Sequence, residues 1–209
     1  MGSSGTSTYL VERSLNGSVW TQIASTSASQ TYFTDSGLSP NTWYQYRIKA
    51  SNAGGVSSPS STSLAATLSR LAEWRLQNYG TTSSTGAASN TASGIDGIPN
   101  LTKYAFNMQS SDGTMHVQPG TGDRGLPTTG MNPITQRLRV EFIRRKSSSA
   151  PGVSYAVEFS SSLNNFAAAG APVQIISIDA NLERVVWEDD VSINETPARF
   201  ARIKIIESP

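Results

Sequence analysis

Three consecutive carboxylates, Glu188, Asp189 and Asp190, form the one acidic cluster of the chain. Two carboxylates about 5 to 10 Å apart can cleave a glycosidic bond, one as the acid and the other as nucleophile or base. The cluster ends a strand-like stretch, Glu183-Arg-Val-Val-Trp, and precedes a loop that runs to Pro197. Charge in such a place is normally solvated. We therefore interpret the cluster as surface charge and predict no catalytic residue.

His116 is the only histidine and the chain has no cysteine. A Ser-His-Asp triad would have to use His116, and a site with several histidine ligands is impossible. Thiolate nucleophiles and cysteine-bound zinc or iron–sulfur sites are excluded as well. The neighbouring Asp112-Gly-Thr-Met predicts a hairpin or strand position for His116. We expect no cofactor and no enzymatic activity.

The chain has four tryptophans, and an exposed indole ring could stack on a sugar. Trp74 falls in a helical pattern, so we expect it in a core. Trp20 and Trp187 lie at strand ends, where burial is common. The fourth, Trp43, is the exception.

Trp43 alternates with Tyr44 and Tyr46 in a strand pattern, which turns Trp43 to the face opposite the tyrosines. Arg47 and Lys49 share that outward face. The sequence therefore predicts Trp43, Arg47 and Lys49 as the candidate ligand-binding surface. An outward tryptophan could equally contact a neighbouring domain or further strands.

Composition limits the possible partners. The net charge is +1 and 15% of residues are charged, so the long-range field that attracts nucleic acid is missing. No apolar run reaches the roughly 18 residues of a membrane helix, and we expect no membrane insertion. A polar, weakly charged surface is typical of secreted or cell-surface proteins. Residues 1–8 are small and polar, unlike a signal peptide, so an export signal would lie upstream.

The elements that must position these residues are mostly strands, which the alternation places at Tyr9 to Ser14, Trp20 to Ser25, Thr31 to Thr34, Trp43 to Ser51, Thr62 to Leu68, Arg137 to Arg145, Val153 to Ser160, Val173 to Ile178, Glu183 to Glu188 and Ala198 to Ile206. A helix is predicted between an N-cap at Ser69 and a stop at Gly80, and a second one near Pro99. The pattern predicts a mainly β protein with two β-sandwich domains, 1–68 and 110–209, joined by a helix–loop–helix connector, 69–109.

Residues 8–67 resemble a fibronectin type III domain, on the residues of its E–F corner and F strand: Leu38, Pro40, Thr42, Tyr44, Tyr46, Arg47, Ala50, Asn52 and Gly54. Tyr44 occupies the place of the family's tyrosine corner. The resemblance implies a β-sandwich that acts as a spacer or accessory domain.

This resemblance leaves the first two strands, A and B, without counterparts. An intact domain of the family takes roughly 90 to 100 residues, and Tyr9 to Ser14 already matches strand C. The inner apolar faces would then be uncovered. Either the chain is truncated upstream, or another chain donates the absent strands.

A short internal repeat relates the N-terminal part of the chain to its C-terminal part. The residues Tyr9, Val11, Glu12, Ser14 and Trp20 reappear 146 positions later as Tyr155, Val157, Glu158, Ser160 and Phe166. The repeat predicts an equivalent strand–hairpin–strand unit in the second domain. We expect Glu12 and Glu158 to form cross-strand pairs with basic neighbours.

Residues 70–209 resemble a C-terminal module of large secreted bacterial proteins, in four blocks that occur in family order: Glu73 to Gly80, Asp96 to Phe106, Tyr155 to Leu163 and Arg199 to Ile205. Many proteins with this module act on polysaccharides or are adhesive, and the module's own activity is not defined. The resemblance implies an accessory role, with upstream domains of the same protein as partners.

In that family the loop before the second helix often binds calcium, as in dockerins. Aligned to such a loop, this sequence keeps Asp96 and Asn100 and puts Lys103 where a bidentate carboxylate belongs. We therefore predict that the calcium loop is degenerate, and that Asp96 and Asn100 tie the turn by hydrogen bonds.

Three hypotheses follow. The first is a noncatalytic accessory segment of a secreted bacterial protein, which presents other domains or mediates protein contacts. The second is a carbohydrate-binding module that uses Trp43. The third is a self-associating surface or filament subunit completed by strand donation.

Overall fold

A computed structural model of the protein describes residues 8–208. The fold is mainly β, with 40% strand and 11% helix, which confirms the predicted fold class. The chain divides into two compact units, Met1–Leu68 (unit 1) and Ser69–Pro209 (unit 2). The N-terminal stretch considered as a signal peptide lies outside the described residues except for Thr8. No helix in the described range is both long and apolar enough to cross a bilayer.

Unit 1 is built on one antiparallel sheet of five strands, β1 (Thr8–Ser14), β2 (Thr21–Ser27), β3 (Trp43–Asn52), β4 (Gly55–Val56) and β5 (Ser63–Ala66). The strand order is β2-β1-β3-β4, and β5 also pairs with β3. Strand β1 therefore lies in the centre, between β2 and β3.

The prediction of a strand at Thr31 to Thr34 is wrong, because the structure has irregular backbone there. A strand needs a neighbour for its backbone hydrogen bonds, and none is present for this stretch in the described part of unit 1. The segment is held instead by Asp35, whose carboxylate accepts hydrogen bonds from Arg13 and the Tyr46 hydroxyl, each at 2.9 Å.

Unit 2 begins with the helices α1 (Arg70–Tyr79) and α2 (Asn100–Ala105). The predicted caps of α1 are confirmed: the Ser69 hydroxyl accepts a hydrogen bond from the amide of Ala72, and Gly80 has a φ of 69°. Both helices pack into the unit through a cluster of buried side chains: Leu71, Trp74, Tyr104 and Val153. The segment predicted as a connector thus contributes to the core of unit 2.

The rest of unit 2 forms two antiparallel sheets. Their strands are β6 (Thr128–Met131), β7 (Arg137–Arg145), β8 (Val153–Ser160), β9 (Ala167–Ala168), β10 (Gln174–Ser177), β11 (Leu182–Ser192) and β12 (Phe200–Glu207). The four-stranded sheet has the order β10-β11-β7-β6 and the three-stranded sheet β12-β8-β9. Large apolar side chains from both sheets share one core, including Val140, Phe142, Val157, Phe159, Val185 and Trp187. The arrangement is sandwich-like.

Candidate functional site

The predicted ligand-binding surface lies on the outer face of β3. Trp43 is 66% exposed, as expected from the alternation. Arg47 and Lys49 are not free beside it. Both donate to Glu12 on β1, from Arg47 Nε to Oε2 at 2.6 Å and from Lys49 Nζ to Oε1 at 2.8 Å. The three residues predicted to bind a ligand therefore lie on one face, but two of them, Arg47 and Lys49, already form ion pairs with Glu12.

This network holds the Glu12 carboxylate in its charged form. Hydrogen bonds from Lys49 and then Arg47 lower the pKa of Glu12 below its ordinary value. The Arg47 guanidinium also lies 4.1 Å from the centre of the Trp20 ring, a cation–π contact. The prediction of a cross-strand pair for Glu12 is confirmed. The outer face offers one exposed aromatic ring and no group poised for proton transfer.

The inner face of the same sheet is apolar and partly open. Val11 is 6% exposed, but its neighbours Tyr9 and Ile48 are 37% and 45% exposed. With the segment that follows β2, they line a cavity of about 350 Å³ whose walls include the Tyr32 and Phe33 rings. The opposite end of this face is closed by Asp35. Tyr46 is partly buried there, and this desolvation together with the hydrogen bond to Asp35 raises the pKa of its hydroxyl to about 12.

Strands β8 and β12 of unit 2 repeat the outer network. Glu158 accepts hydrogen bonds from Arg202 and, at 2.7 Å, from Lys204. Arg202 lies 4.1 Å from the centre of the Phe166 ring. The pKa of Glu158 is lowered by the hydrogen bonds from Lys204 and Arg202. The cross-strand pair predicted for Glu158 is confirmed.

The repeat extends to the register of the strands. Glu12 lies opposite Arg47, and Glu158 lies opposite Arg202. The sequence analysis found Glu158 and Phe166 but missed Arg202 and Lys204. A signal was available, since the tripeptide Arg-Ile-Lys occurs at 47–49 and again at 202–204.

The carboxylate cluster lies within β11, which continues to Ser192, and the interpretation as solvated charge is wrong for Asp189. Its side chain is buried because Arg199 binds both of its oxygens, at 2.6 and 2.7 Å. An arginine fork satisfies a carboxylate in a buried place where water cannot. Asp190 is exposed, as the sequence predicts.

Glu188 is also held, by Arg139 at 2.7 Å, Asn132 at 2.7 Å and Thr135 at 2.9 Å. Burial acts to raise the pKa of Glu188, but the hydrogen bonds from Asn132, Arg139 and Thr135 outweigh it and leave the pKa below its ordinary value. A glycosidase acid needs a raised pKa. Glu188 has the properties of a structural anion.

His116 donates one short hydrogen bond, from Nδ1 to the carbonyl oxygen of Pro127 at 2.6 Å. It takes part in an isolated bridge with Leu126. Since a carbonyl can only accept, Nδ1 carries the proton in this contact. The ring is exposed and fastens the loop before β6.

The loop before α2, which the sequence analysis compares with a calcium loop, is organised around a lysine. The buried Lys103 ammonium donates to Asp96 at 2.6 Å and to the Ser110 carbonyl at 2.8 Å. Asn100 donates to the carbonyls of Ala87 and Ser89, each at 2.8 Å. Asp96 and Asn100 thus tie the turn by hydrogen bonds, as predicted. The lysine supplies the positive charge, and its hydrogen bond is the main reason that the pKa of Asp96 is lowered.

Comparison with known proteins gives no name to these features. No model of a known protein family matches the chain. No curated protein matches it either. Among residues 8–208, no group of three or more acidic, histidine or cysteine side chains is arranged to hold a metal ion.

Proposed function

We propose that this protein is a noncatalytic accessory module of a secreted or cell-surface bacterial protein, which presents neighbouring domains and makes protein contacts through unit 1. The contact surface is the inner face of the unit 1 sheet, defined here by Tyr9, Val11, Ile48, Tyr32 and Phe33. Its partner is another part of the same protein or a second polypeptide.

The observation that carries the proposal is the difference between two equivalent faces. Val11 lies opposite Ile48 in unit 1, and Val157 lies opposite Ile203 in unit 2. The unit 2 face is covered by the second sheet and belongs to a core. The unit 1 face has no second sheet within residues 8–68. An apolar face of this kind is a normal site of protein interaction.

The size of the inner face favours a partner that belongs to the same polypeptide. The sheet is four strands wide, because β4 and β5 both pair with the same edge of β3. Four strand positions about 4.8 Å apart and about seven residues long, at about 3.3 Å per residue, give a face of at most roughly 440 Å² in projection. A stable complex of separate proteins buries about 800 Å² on each side. A face of this size supports weak binding between free molecules, and a partner in the same polypeptide would gain occupancy from its high effective concentration.

The test is binding of a synthetic β-hairpin that presents valine and phenylalanine on one face, followed by fluorescence anisotropy. The wild-type chain should bind the labelled hairpin saturably. Ile48→Lys should weaken binding at least tenfold because it places a charge in the contact. Leu64→Lys is the matched control, since Leu64 is 63% exposed on β5. No saturable binding, or equal loss in both variants, would contradict the proposal.

The noncatalytic part is tested separately. Glu188 and Asp189 are engaged by basic partners, which supports a structural role for both. The purified chain should release no reducing sugar from a panel of polysaccharides. Hydrolysis that persists through purification and is lost in Glu188→Gln would overturn this part of the proposal.

Carbohydrate binding is a second candidate because Trp43 is exposed on the outer face. Sugar rings stack on such indole rings. Retention of the chain on an insoluble polysaccharide, abolished by Trp43→Ala and kept in Leu64→Ala, would favour it. Retention that is unaffected by Trp43→Ala would contradict carbohydrate binding through Trp43.

A further inference from the structure

Strand β10 is an edge strand of unusual composition. It pairs with β11 on one side only. Backbone hydrogen bonds continue this ladder at Val173 and Ile178, so the paired stretch is Val-Gln-Ile-Ile-Ser-Ile without any ionisable side chain. Val173, Ile175, Ile176 and Ile178 are 57%, 53%, 39% and 37% exposed.

Apolar side chains lie on both faces of this strand. Ile175 is opposite Val185, a core residue, and Ile176 is opposite Arg184 on the outer face. A strand added beside β10 would therefore cover apolar surface on both faces, and it would also satisfy the free backbone groups of the edge.

The other edges of unit 2 are protected. Strand β12 carries Arg202, Lys204 and Glu207 among its eight residues. Strand β6 is short, with a glycine and two threonines, and β9 has only two residues. Charges, glycine and short length are the usual protection of a free edge. Strand β10 has four residues, as β6 does, but it has neither a charge nor a glycine, and the backbone hydrogen bonds of Val173 and Ile178 lengthen its ladder.

We propose that β10 pairs antiparallel with β10 of a second copy of this chain, across a two-fold axis, to form a homodimer. The uncharged stretch is compatible with itself, since no like charges meet along it. A two-fold contact of an edge with its own copy also closes the assembly, because it leaves no unprotected β10 edge for a third chain.

The position of Lys146 favours the antiparallel arrangement. Lys146 donates to the Ser177 hydroxyl at 2.6 Å and to the carbonyl of Asp179 at 2.5 Å, at one end of β10. With the axis near Ile175, the two copies of Ser177 lie four residues apart along the strands, about 13 Å. This exceeds the Debye length of about 8 Å at physiological salt, so the two lysines repel weakly. A parallel pairing would bring them together.

The symmetry gives a sharp test. A two-fold axis between antiparallel strands places one residue opposite its own copy, with Cα atoms about 4.5 to 5.5 Å apart. This separation suits a disulfide, and the chain has no native cysteine. Single cysteines are placed at 173, 174, 175, 176 and 177 in turn and the proteins are oxidised. One position should yield a crosslinked dimer several-fold in excess of the others.

Ile206→Cys is the control for random collision, because Ile206 is 50% exposed on the charged edge strand β12. It should give only background crosslinking. The proposal is overturned if no position in β10 exceeds this background, or if all five crosslink alike.

Sedimentation of the native sequence supplies the second readout. The mass should rise with concentration from one chain to two. Ile176→Lys should raise the dissociation constant at least tenfold because it puts two ammonium groups in the contact, and Ile206→Lys should leave it unchanged. If Ile176→Lys does not fold, Gln174→Lys replaces it. This variant also puts two ammonium groups in the contact, at an exposed polar position, and should likewise raise the dissociation constant. A chain that stays monomeric at every concentration overturns the proposal.

The dimer and the proposed contact of unit 1 are distinguishable. Ile48→Lys should weaken binding of the hairpin probe and leave the dimer intact, while Ile176→Lys should do the reverse. A dimer that is lost in Ile48→Lys and kept in Ile176→Lys would assign self-association to unit 1 and overturn the role of β10.

Discussion

The strand pair β1–β3 in unit 1 and the strand pair β8–β12 in unit 2 have the same side-chain network on their outer faces. Their inner faces differ. On the outer face each glutamate is held by an arginine and a lysine of the neighbouring strand, and each arginine covers an aromatic ring. The inner faces have the same register, yet only the unit 2 face lies in a core. The ion-pair network therefore does not depend on whether the sheet is covered.

The surroundings of two equivalent tyrosines, Tyr9 and Tyr155, illustrate the contrast. Tyr155 packs with Phe106 and Phe142, at ring distances of 6.3 and 5.8 Å, and its hydroxyl donates to the Ala105 carbonyl at 2.7 Å. Burial raises its pKa to about 12. Tyr9, at the equivalent position, lines an open cavity. The tyrosine of unit 2 packs against the core of its unit, whereas the equivalent tyrosine of unit 1 is part of a candidate contact surface.

The largest expected difference lies at these two tyrosines. Tyr155→Ala should lower the free energy of unfolding of unit 2 by about 3 to 5 kcal/mol, because it removes a packed ring and leaves a cavity. Tyr9→Ala should lower that of unit 1 by less than about 1 kcal/mol, since the ring is part-exposed. Denaturant titration read by hydrogen exchange reports each unit separately.

Tyr155→Phe is the control for the hydroxyl alone and should cost about 1 kcal/mol. Similar losses for Tyr9→Ala and Tyr155→Ala would mean that the unit 1 face is covered in the isolated chain. The two inner faces would then be equivalent, and the proposed contact surface would lose its basis.

A smaller effect is expected at the aromatic rings of the outer faces. Trp20→Ala and Phe166→Ala each remove a ring 4.1 Å from a guanidinium, a contact worth about 0.5 to 1 kcal/mol at exposed sites. Trp20→Ala should cost more, because the indole Nε1 also donates to the Gly17 carbonyl at 3.0 Å. The measurement is the same titration, with Trp20→Phe as the control that keeps a ring. No loss in either unit would show that the repeated network is incidental.

The alternation of residue types predicted most of the strands and both faces of β3, because side-chain direction depends only on local backbone geometry. It also predicted the partners of Glu12 and Glu158 as basic neighbours. The prediction that Asp189 is solvated was wrong. Its partner, Arg199, is ten residues away in the sequence and approaches Asp189 only in the folded protein. Long-range pairing of this kind has no local signature.

The outer face of β3 was predicted only in part, because local patterns give the direction of a side chain but not its partners on other strands. The outward position of Trp43 followed from local alternation, whereas the engagement of Arg47 and Lys49 required the register of β1 against β3. The failed strand at Thr31 to Thr34 shows the opposite case. Its residues favour a strand, but a strand forms only where a neighbour can bond to it.

The smallest effect concerns the two glutamates and pH. Both have a lowered pKa, so their pairs stabilise the protein above the ordinary value of 4.5, and that contribution is lost as pH falls through the folded value. Glu12→Gln and Glu158→Gln should each destabilise their unit at pH 7, and the difference from the native protein should shrink as the pH falls below 4.5 and through the lowered pKa. The side chains of Arg47 and Lys49 are 21% and 23% exposed, against 45% and 48% for Arg202 and Lys204. Solvent screens the unit 2 network more, so Glu12→Gln should be the more damaging variant, and a larger effect for Glu158→Gln would reverse the comparison.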